Sequence, residues 1–124
     1  MANPNIVNVS SIYGKTTYLD LSTTSATTLV TNASSSGVVL KINMIQIANV
    51  DGANACDVTV KVHSGASGGG TGYALASTVS VPADAAMVII DKNSSVYIME
   101  NQSITVTAGT ANDLEVVCSY EEIS

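Results

Sequence analysis

His63 is the only histidine in the 124-residue chain, so a hydrolytic arrangement of nucleophile, histidine and acid would have to include it. It ends an alternating stretch, with Val62 and Ser64 beside it and a glycine-rich segment directly after it. The alternation predicts that His63 lies on the outer face of a strand. We therefore interpret it as a surface histidine and rank a hydrolase last among the functions considered.

Several aspartates could supply general acid or base chemistry, because spacing alone does not exclude a carboxylate pair. They are Asp51, Asp57, Asp84, Asp91 and Asp113. Each lies in or beside a turn sequence, where Asp is favoured for the hydrogen bonds that it makes to nearby backbone. We predict turn roles for these residues and no enzymatic activity.

Metal sites find limited support in the sequence. Asp51, Asn54 and Asp57 would place three oxygen ligands on one loop, but the spacing lacks the EF-hand pattern and its terminal glutamate. Zinc is less favoured still, since two cysteines and one histidine on separate strands do not form paired Cys spacing. We predict no metal and no cofactor.

Cys56 and Cys118 are compatible with a disulfide in an oxidising compartment and with free buried thiols in a reducing one. Both fall in phase with apolar neighbours on predicted strands, Cys56 with Val58 and Cys118 with Val116. Free Cys behaves as a small buried hydrophobe. The core interpretation is preferred, because the N-terminus does not resemble a secretory signal.

Composition excludes several partners. Charged residues make up 11% of the chain, against about 25% in an average soluble domain. The net charge is −6 and the four cationic residues, all lysines, are far apart, so a nucleic-acid partner is not expected. No apolar run approaches membrane-spanning length, and we expect a protein made in the cytosol that does not enter a membrane.

The elements that must position these residues are strands. Apolar residues alternate with polar ones along most of the chain, with turn sequences about every ten residues, which predicts an all-β fold. We expect a single antiparallel β-sandwich of about eight strands, jelly-roll-like, over residues 10–124. Between Val38 and Val50 the apolar phase slips across Asn43 and Met44, which predicts a β-bulge or a strand buried on both faces, with a helix as the alternative.

Two further segments carry expectations of their own. Strands around Ile104 and Leu114 are predicted to pair as a C-terminal hairpin, with Leu114, Val116 and Cys118 facing the core. Thr105, Thr107, Glu115 and Ser119 are then expected on the outer face. The glycine-rich segment 65–72 lacks the Lys-Ser/Thr ending of a phosphate-binding loop and is expected to be a mobile surface loop.

Residues 1–9 are predicted to form an N-terminal arm, because a proline and three asparagines oppose regular structure there. Arms of this kind often reach a neighbouring subunit. The candidate interface residues are Asn3, Pro4, Ile6, Val7 and Val9.

Three blocks of the sequence carry a resemblance to a known family. They are Ala2 to Thr17, Ile90 to Ala108 and Leu114 to Ile123, which together resemble small virion proteins of tailed bacteriophages, notably those that infect marine cyanobacteria. The resemblance implies a virion location, a multi-copy or homo-oligomeric assembly and the major capsid protein or other virion proteins as partners. It favours a capsid decoration or cement protein. A neck, tail or fibre protein that contacts the host surface is the alternative, with Tyr73 as the best exposed ring for a sugar.

Overall fold

A computed structural model describes residues 3–124 of the chain. Within this range the chain forms β-strands and two single-turn 3₁₀ helices, and the predicted all-β fold is confirmed. The strands are β1 (Ile12–Asp20), β2 (Thr27–Asn32), β3 (Val39–Asn49), β4 (Cys56–His63), β5 (Gly72–Val81), β6 (Ala86–Ile90), β7 (Val96–Ile98), β8 (Gln102–Ala108) and β9 (Leu114–Ile123). The 3₁₀ helices are Ala66–Gly68 and Lys92–Ser94.

The strands form two antiparallel sheets. Sheet I has the order β1-β9-β3, with β6 and β7 both paired to the far edge of β3, and sheet II has the order β2-β8-β4-β5. If β6 and β7 are taken as one interrupted strand, the antiparallel pairs nest, β1 with β9, β2 with β8, β3 with β6 and β7, and β4 with β5. The chain is therefore one long hairpin wrapped into two sheets, which is a jelly roll. The glycine-rich segment forms the tip of this hairpin.

The predicted C-terminal hairpin is wrong. Strand β8 belongs to sheet II and β9 to sheet I, and the loop between them crosses from one sheet to the other. Gly109 N–H donates to the carbonyl of Asp57 at 2.8 Å, and Asn112 N–H donates to the carbonyl of Leu21 at 2.8 Å, which anchors the loop at both sides. Alternation requires only that each strand bury one face, and two strands that face each other across the core satisfy it as well as a hairpin does.

The core assignments within β9 are confirmed, because Leu114, Val116 and Cys118 are fully buried. The phase slip in β3 also corresponds to a real irregularity. Its register against β9 shifts between Ile42 and Met44, so that Ile42 and Ile45 are both fully buried. A bulge at this point returns the second half of the strand to the core face.

Two buried asparagines tie the ends of the sheets together. The Asn32 side chain, at the end of β2, donates to the carbonyls of Val38 and Ile98 at 2.9 and 3.1 Å. The Asn49 side chain, at the end of β3, donates to the carbonyls of Asn54 and Val81, each at 2.9 Å. Each amide thus satisfies backbone acceptors where the chain passes between sheets.

The glycine-rich segment is a hydrogen-bonded turn that covers the outer face of sheet II. Gly68 N–H donates to Ser103 Oγ at 2.8 Å, and that hydroxyl donates to the carbonyl of Gly65 at 2.8 Å. Ser67 N–H donates to Thr31 Oγ1 at 2.9 Å. Thr105, which was expected on an open outer face, is buried beneath this turn.

Candidate interaction surfaces

His63 lies on β4 at the edge of the glycine turn. Its Nε2 is 2.8 Å from the Oγ1 of Thr105, and among residues 3–124 no carboxylate is hydrogen-bonded to its ring. The histidine is half-buried rather than fully on the surface. This contact joins the neighbouring strands β4 and β8 within sheet II.

The aspartates of the predicted calcium loop act on their own backbone. Asp51 accepts a hydrogen bond from Ala53 N–H at 2.9 Å and another from the Asn54 side chain at 3.2 Å. Both bonds favour the charged carboxylate and hold the pKa of Asp51 below its ordinary value. The bond from Ala53 N–H has the larger effect. Within residues 3–124 no three His, Cys, Asp or Glu side chains come together as a metal site.

Asp91 has a comparable local role, since it caps the 3₁₀ helix Lys92–Ser94 by accepting bonds from Asn93 N–H and Ser94 N–H. The turn interpretation is confirmed for Asp51 and Asp91. The described part of the chain has no helix of the length and apolarity needed to span a membrane.

Both cysteines are buried free thiols, as the core interpretation predicted. Burial raises the pKa of the Cys118 thiol to about 12, because the interior disfavours the thiolate. Neither sulfur is presented on the surface, where it could link one subunit to another.

The outer face of sheet I carries a largely apolar row of exposed and half-buried side chains that no motif indicated. The ladder register aligns Tyr18, Val117, Gln46 and Val88 across β1, β9, β3 and β6. Tyr18 is 75% exposed, and Val88 and Val117 are also exposed. Beside the row is a groove of about 470 Å³, and two acidic residues, Asp20 and Glu115, belong to its lining. We call this surface the sheet I face.

The described part of the N-terminal arm lies at the other end of the same sheet. Asn3 Oδ1 accepts a hydrogen bond from Glu100 N–H at 3.3 Å. Arm residues Asn3, Pro4 and Ile6 line a second groove, of about 180 Å³, with Val39, Tyr97 and Met99.

The apolar side chains near the tip of the arm are largely exposed. Asn5 turns the chain by accepting a hydrogen bond from Val7 N–H at 3.0 Å. Val7 is 91% exposed, Ile6 is also exposed and Val9 is half-buried. Met1 and Ala2 lie outside the described residues, and the division into an arm of residues 1–9 and a sandwich of 10–124 stays a prediction.

Tyr73 lies apart from both grooves. It lies on the edge strand β5, opposite Val62, and its ring is 66% exposed. Neither of the two grooves described above includes it.

No family model and no curated protein matches the chain. A chain from the Bacillus endospore appendages, a novel family of disulfide-linked pili, is similar over 92% of this chain and 88% of its own, with a TM-score of 0.51 and 17% identity. A chain from the acid-stable capsid of a Helicobacter pylori bacteriophage is similar over 94% of this chain and 90% of its own, with a TM-score of 0.54 and 10% identity. At these identities the likeness shows a shared fold.

Proposed function

We propose that this protein is a non-enzymatic structural protein of a tailed-bacteriophage virion, and that it acts as a capsid decoration or cement protein. It would bind the outside of the head and bridge neighbouring capsid subunits. The observation that carries the proposal is the end-to-end likeness of the jelly roll to a chain of a phage capsid. The family resemblance of the N-terminal, Ile90 to Ala108 and C-terminal blocks points the same way.

The exposed surfaces of the molecule support a function in binding other proteins. The arm and the sheet I face lie on one side of the sandwich, and both expose apolar side chains that the fold itself does not use. Exposed apolar groups that cluster on a monomer are typical of interaction sites. We place the contact with a neighbouring subunit at Asn3, Pro4, Ile6, Val7 and Val9, with the major capsid protein as the partner.

The residues that could have supplied catalysis support the non-enzymatic part of the proposal. His63 bonds to Thr105 beneath the glycine turn, and Asp51 and Asp91 fix local turns. These three groups therefore have structural partners, and the proposal assigns them no catalytic role.

The alternative is a neck, tail or fibre protein, and the likeness to a pilus chain favours it, since a pilus is a linear assembly. The two cysteines weigh against an assembly linked by disulfides of this chain, because both are buried. A covalent link between subunits would need an exposed thiol.

The number of copies in a purified virion, measured by quantitative mass spectrometry against the major capsid protein, tests the proposal. A copy number comparable to that of the capsid protein is expected for decoration. A number far below it would favour the neck or tail, and absence from the virion would overturn both.

The arm can be tested on its own. Val7→Asp should keep the fold, because the side chain is almost fully exposed, while it weakens binding of the purified protein to heads that lack it. Asn5→Asp is not a suitable control, since Asn5 shapes the turn, so Thr24→Asp on the exposed loop before β2 serves instead. Equal binding by the wild type and Val7→Asp would remove the arm from the interface.

A further inference from the structure

The two sheets have four edges within the described chain, and three of them are poorly suited to accept another strand. The β5 edge is irregular, with register shifts and a positive φ of 52° at Thr78. The β2 edge has a register shift between Thr28 and Val30. On the remaining side of sheet I, the edge is divided between β6 and β7, with a 3₁₀ helix between them. Bulges and short strands are the usual devices that protect a sheet edge.

The fourth edge, β1, has none of these devices. It pairs with β9 in an unbroken register from Ile12 to Asp20, and it contains no proline. Its one cation, Lys15, is engaged with Glu122 of β9 at 2.9 Å. The strand therefore presents a regular row of outward backbone groups, of which one, the carbonyl of Asp20, accepts a hydrogen bond from a described residue, Ser22 N–H at 2.9 Å.

The bonds at the two ends of the ladder show which backbone groups are free. Ser11 exchanges hydrogen bonds with Ser124, and Leu21 N–H donates to the carbonyl of Leu114. In an antiparallel pair the bonded residues alternate, so odd-numbered residues of β1 face β9 and even-numbered ones direct N–H and C=O outward. The outward residues are Ile12, Gly14, Thr16, Tyr18 and Asp20.

We propose that this edge pairs antiparallel with β1 of a second copy of the chain, about a two-fold axis beside Thr16. This register pairs outward backbone groups with outward groups along both strands, and at each end the Asp20 carbonyl, which already accepts from Ser22 N–H, lies opposite Ile12 of the other copy. It also continues sheet I from one copy into the next. Because the same patch is used on both copies, the interface is closed and self-complementary.

The side chains fit this register. Thr16 lies opposite Thr16 of the second copy, a favourable pair across antiparallel strands. Tyr18, 75% exposed, lies opposite Gly14, where a Cβ would meet nothing within 4 Å, so the ring has open space to cover. On the other face of the sheet, Tyr13 lies opposite Leu19. The strand carries one lysine and one aspartate, so the contact avoids the repulsion that the net charge of −6 would otherwise bring.

The inference goes beyond the proposed function, because an edge-to-edge dimer does not depend on where in a virion the protein sits. The first measurement is the mass of the purified full chain by light scattering after size exclusion, at concentrations up to about 0.1 mM. We expect twice the chain mass of 12.6 kDa. A monomer over this range overturns the pairing, whatever the copy number in virions.

Engineered cysteines test the register. Thr16→Cys should form a disulfide-linked dimer on mild oxidation, because bonded cross-strand Cα atoms are about 5.5 Å apart, within reach of a disulfide. Asp20→Cys is the matched control, since the two copies of residue 20 would lie at opposite ends of the paired strands. Equal cross-linking of the two variants, or none with Thr16→Cys, overturns the register.

Thr16→Lys is a second test that does not depend on cysteine chemistry. It places two like charges together at the axis, and the side chain is exposed, so the variant should keep the circular dichroism spectrum of the wild type while the mass falls to that of a monomer. A Thr16→Lys variant that stays dimeric, or that forms larger assemblies like those of the wild type, would show that β1 is not the contact.

Discussion

Val116 and Val117 are neighbours on β9, yet Val116 is fully buried between the sheets and Val117 is 40% exposed on the outer face of sheet I. The pleat of the strand separates them, because successive side chains point to opposite faces. Identical side chains one residue apart therefore serve different purposes. The first contributes to the core and the second to the sheet I face.

Val116→Asp is expected to prevent folding. The substitution places an unpaired carboxylate among apolar side chains, at a cost of at least about 4 kcal/mol. Circular dichroism and thermal melting of the purified variant measure the effect. Val117→Asp is the matched control, and it should melt close to the wild type. A Val116→Asp protein with an unchanged melting temperature would show that the facing of β9 is wrong.

Gly65→Ala is expected to lower the free energy of unfolding by about 1–3 kcal/mol, since overpacking is costly when the obstacle cannot move. A Cβ at this position would lie 2.7 Å from the backbone carbonyl carbon of Gly69. Gly14→Ala, where a Cβ meets nothing within 4 Å, should change stability by less than about 0.5 kcal/mol. Urea titration of both variants checks the difference, and equal stabilities would contradict the tight turn.

The sequence was sufficient for the fold class, for the core positions of β9 and for the slip in β3, because each follows from local alternation. It was not sufficient to predict which strands pair with each other. Ala108 and Leu114 end and begin strands of different sheets, and the alternating pattern is the same for a hairpin as for a crossing loop. The glycine turn was also missed, because its acceptors Thr31 and Ser103 are distant in sequence.

The candidate surface was predictable only in part. The arm residues could be named from Pro4 and its asparagines, but their interface role stays a prediction. The row on sheet I was missed because the ladder register, which sequence does not reveal, assembles it from four strands. The signal available in the sequence was Val117, an apolar residue between Glu115 and Ser119 at a position that the alternation of β9 assigns to the outer face.

Asn49→Leu is expected to destabilise the protein by about 2–4 kcal/mol, although leucine has a similar volume. The substitution leaves the carbonyls of Asn54 and Val81 without their donor and removes the acceptor of Asp51 N–H. Chemical denaturation measures the loss. Asn54→Leu, which removes only an exposed bond to Asp51, should cost less than about 1 kcal/mol. If the two variants were equally stable, the buried amide would not be a significant tie between sheets.

The Asp51 turn predicts a pH dependence of stability. The pKa of this carboxyl is below its ordinary 3.8 in the folded protein, because Ala53 N–H and then the Asn54 side chain donate to the charged form. The stabilisation is therefore present above pH 3.8 and is lost as the pH falls through the lower folded pKa. The melting-temperature difference between wild type and Asp51→Ala should shrink below that pH. Asn54→Ala should keep most of the dependence, since the backbone bond remains, and a pH-independent difference would contradict the assignment.

Cys118 predicts slow thiol chemistry in the folded protein. Its side chain is fully buried and its pKa is raised to about 12, so both access and the reactive thiolate are lacking at pH 8. Maleimide labelling followed by mass spectrometry should be slow in the native protein and fast in denaturant. Val117→Cys, one residue away on the exposed face, should label quickly without denaturant. Rapid labelling of Cys118 in the native protein would mean that the core opens readily. A disulfide between subunits through Cys118 would then become possible.

The raised pKa of Cys118 also predicts that the free energy of unfolding falls as the pH rises from 9 towards 12, because in that range the thiol ionises only in the unfolded protein. Cys118→Ala should remove this part of the alkaline loss of stability.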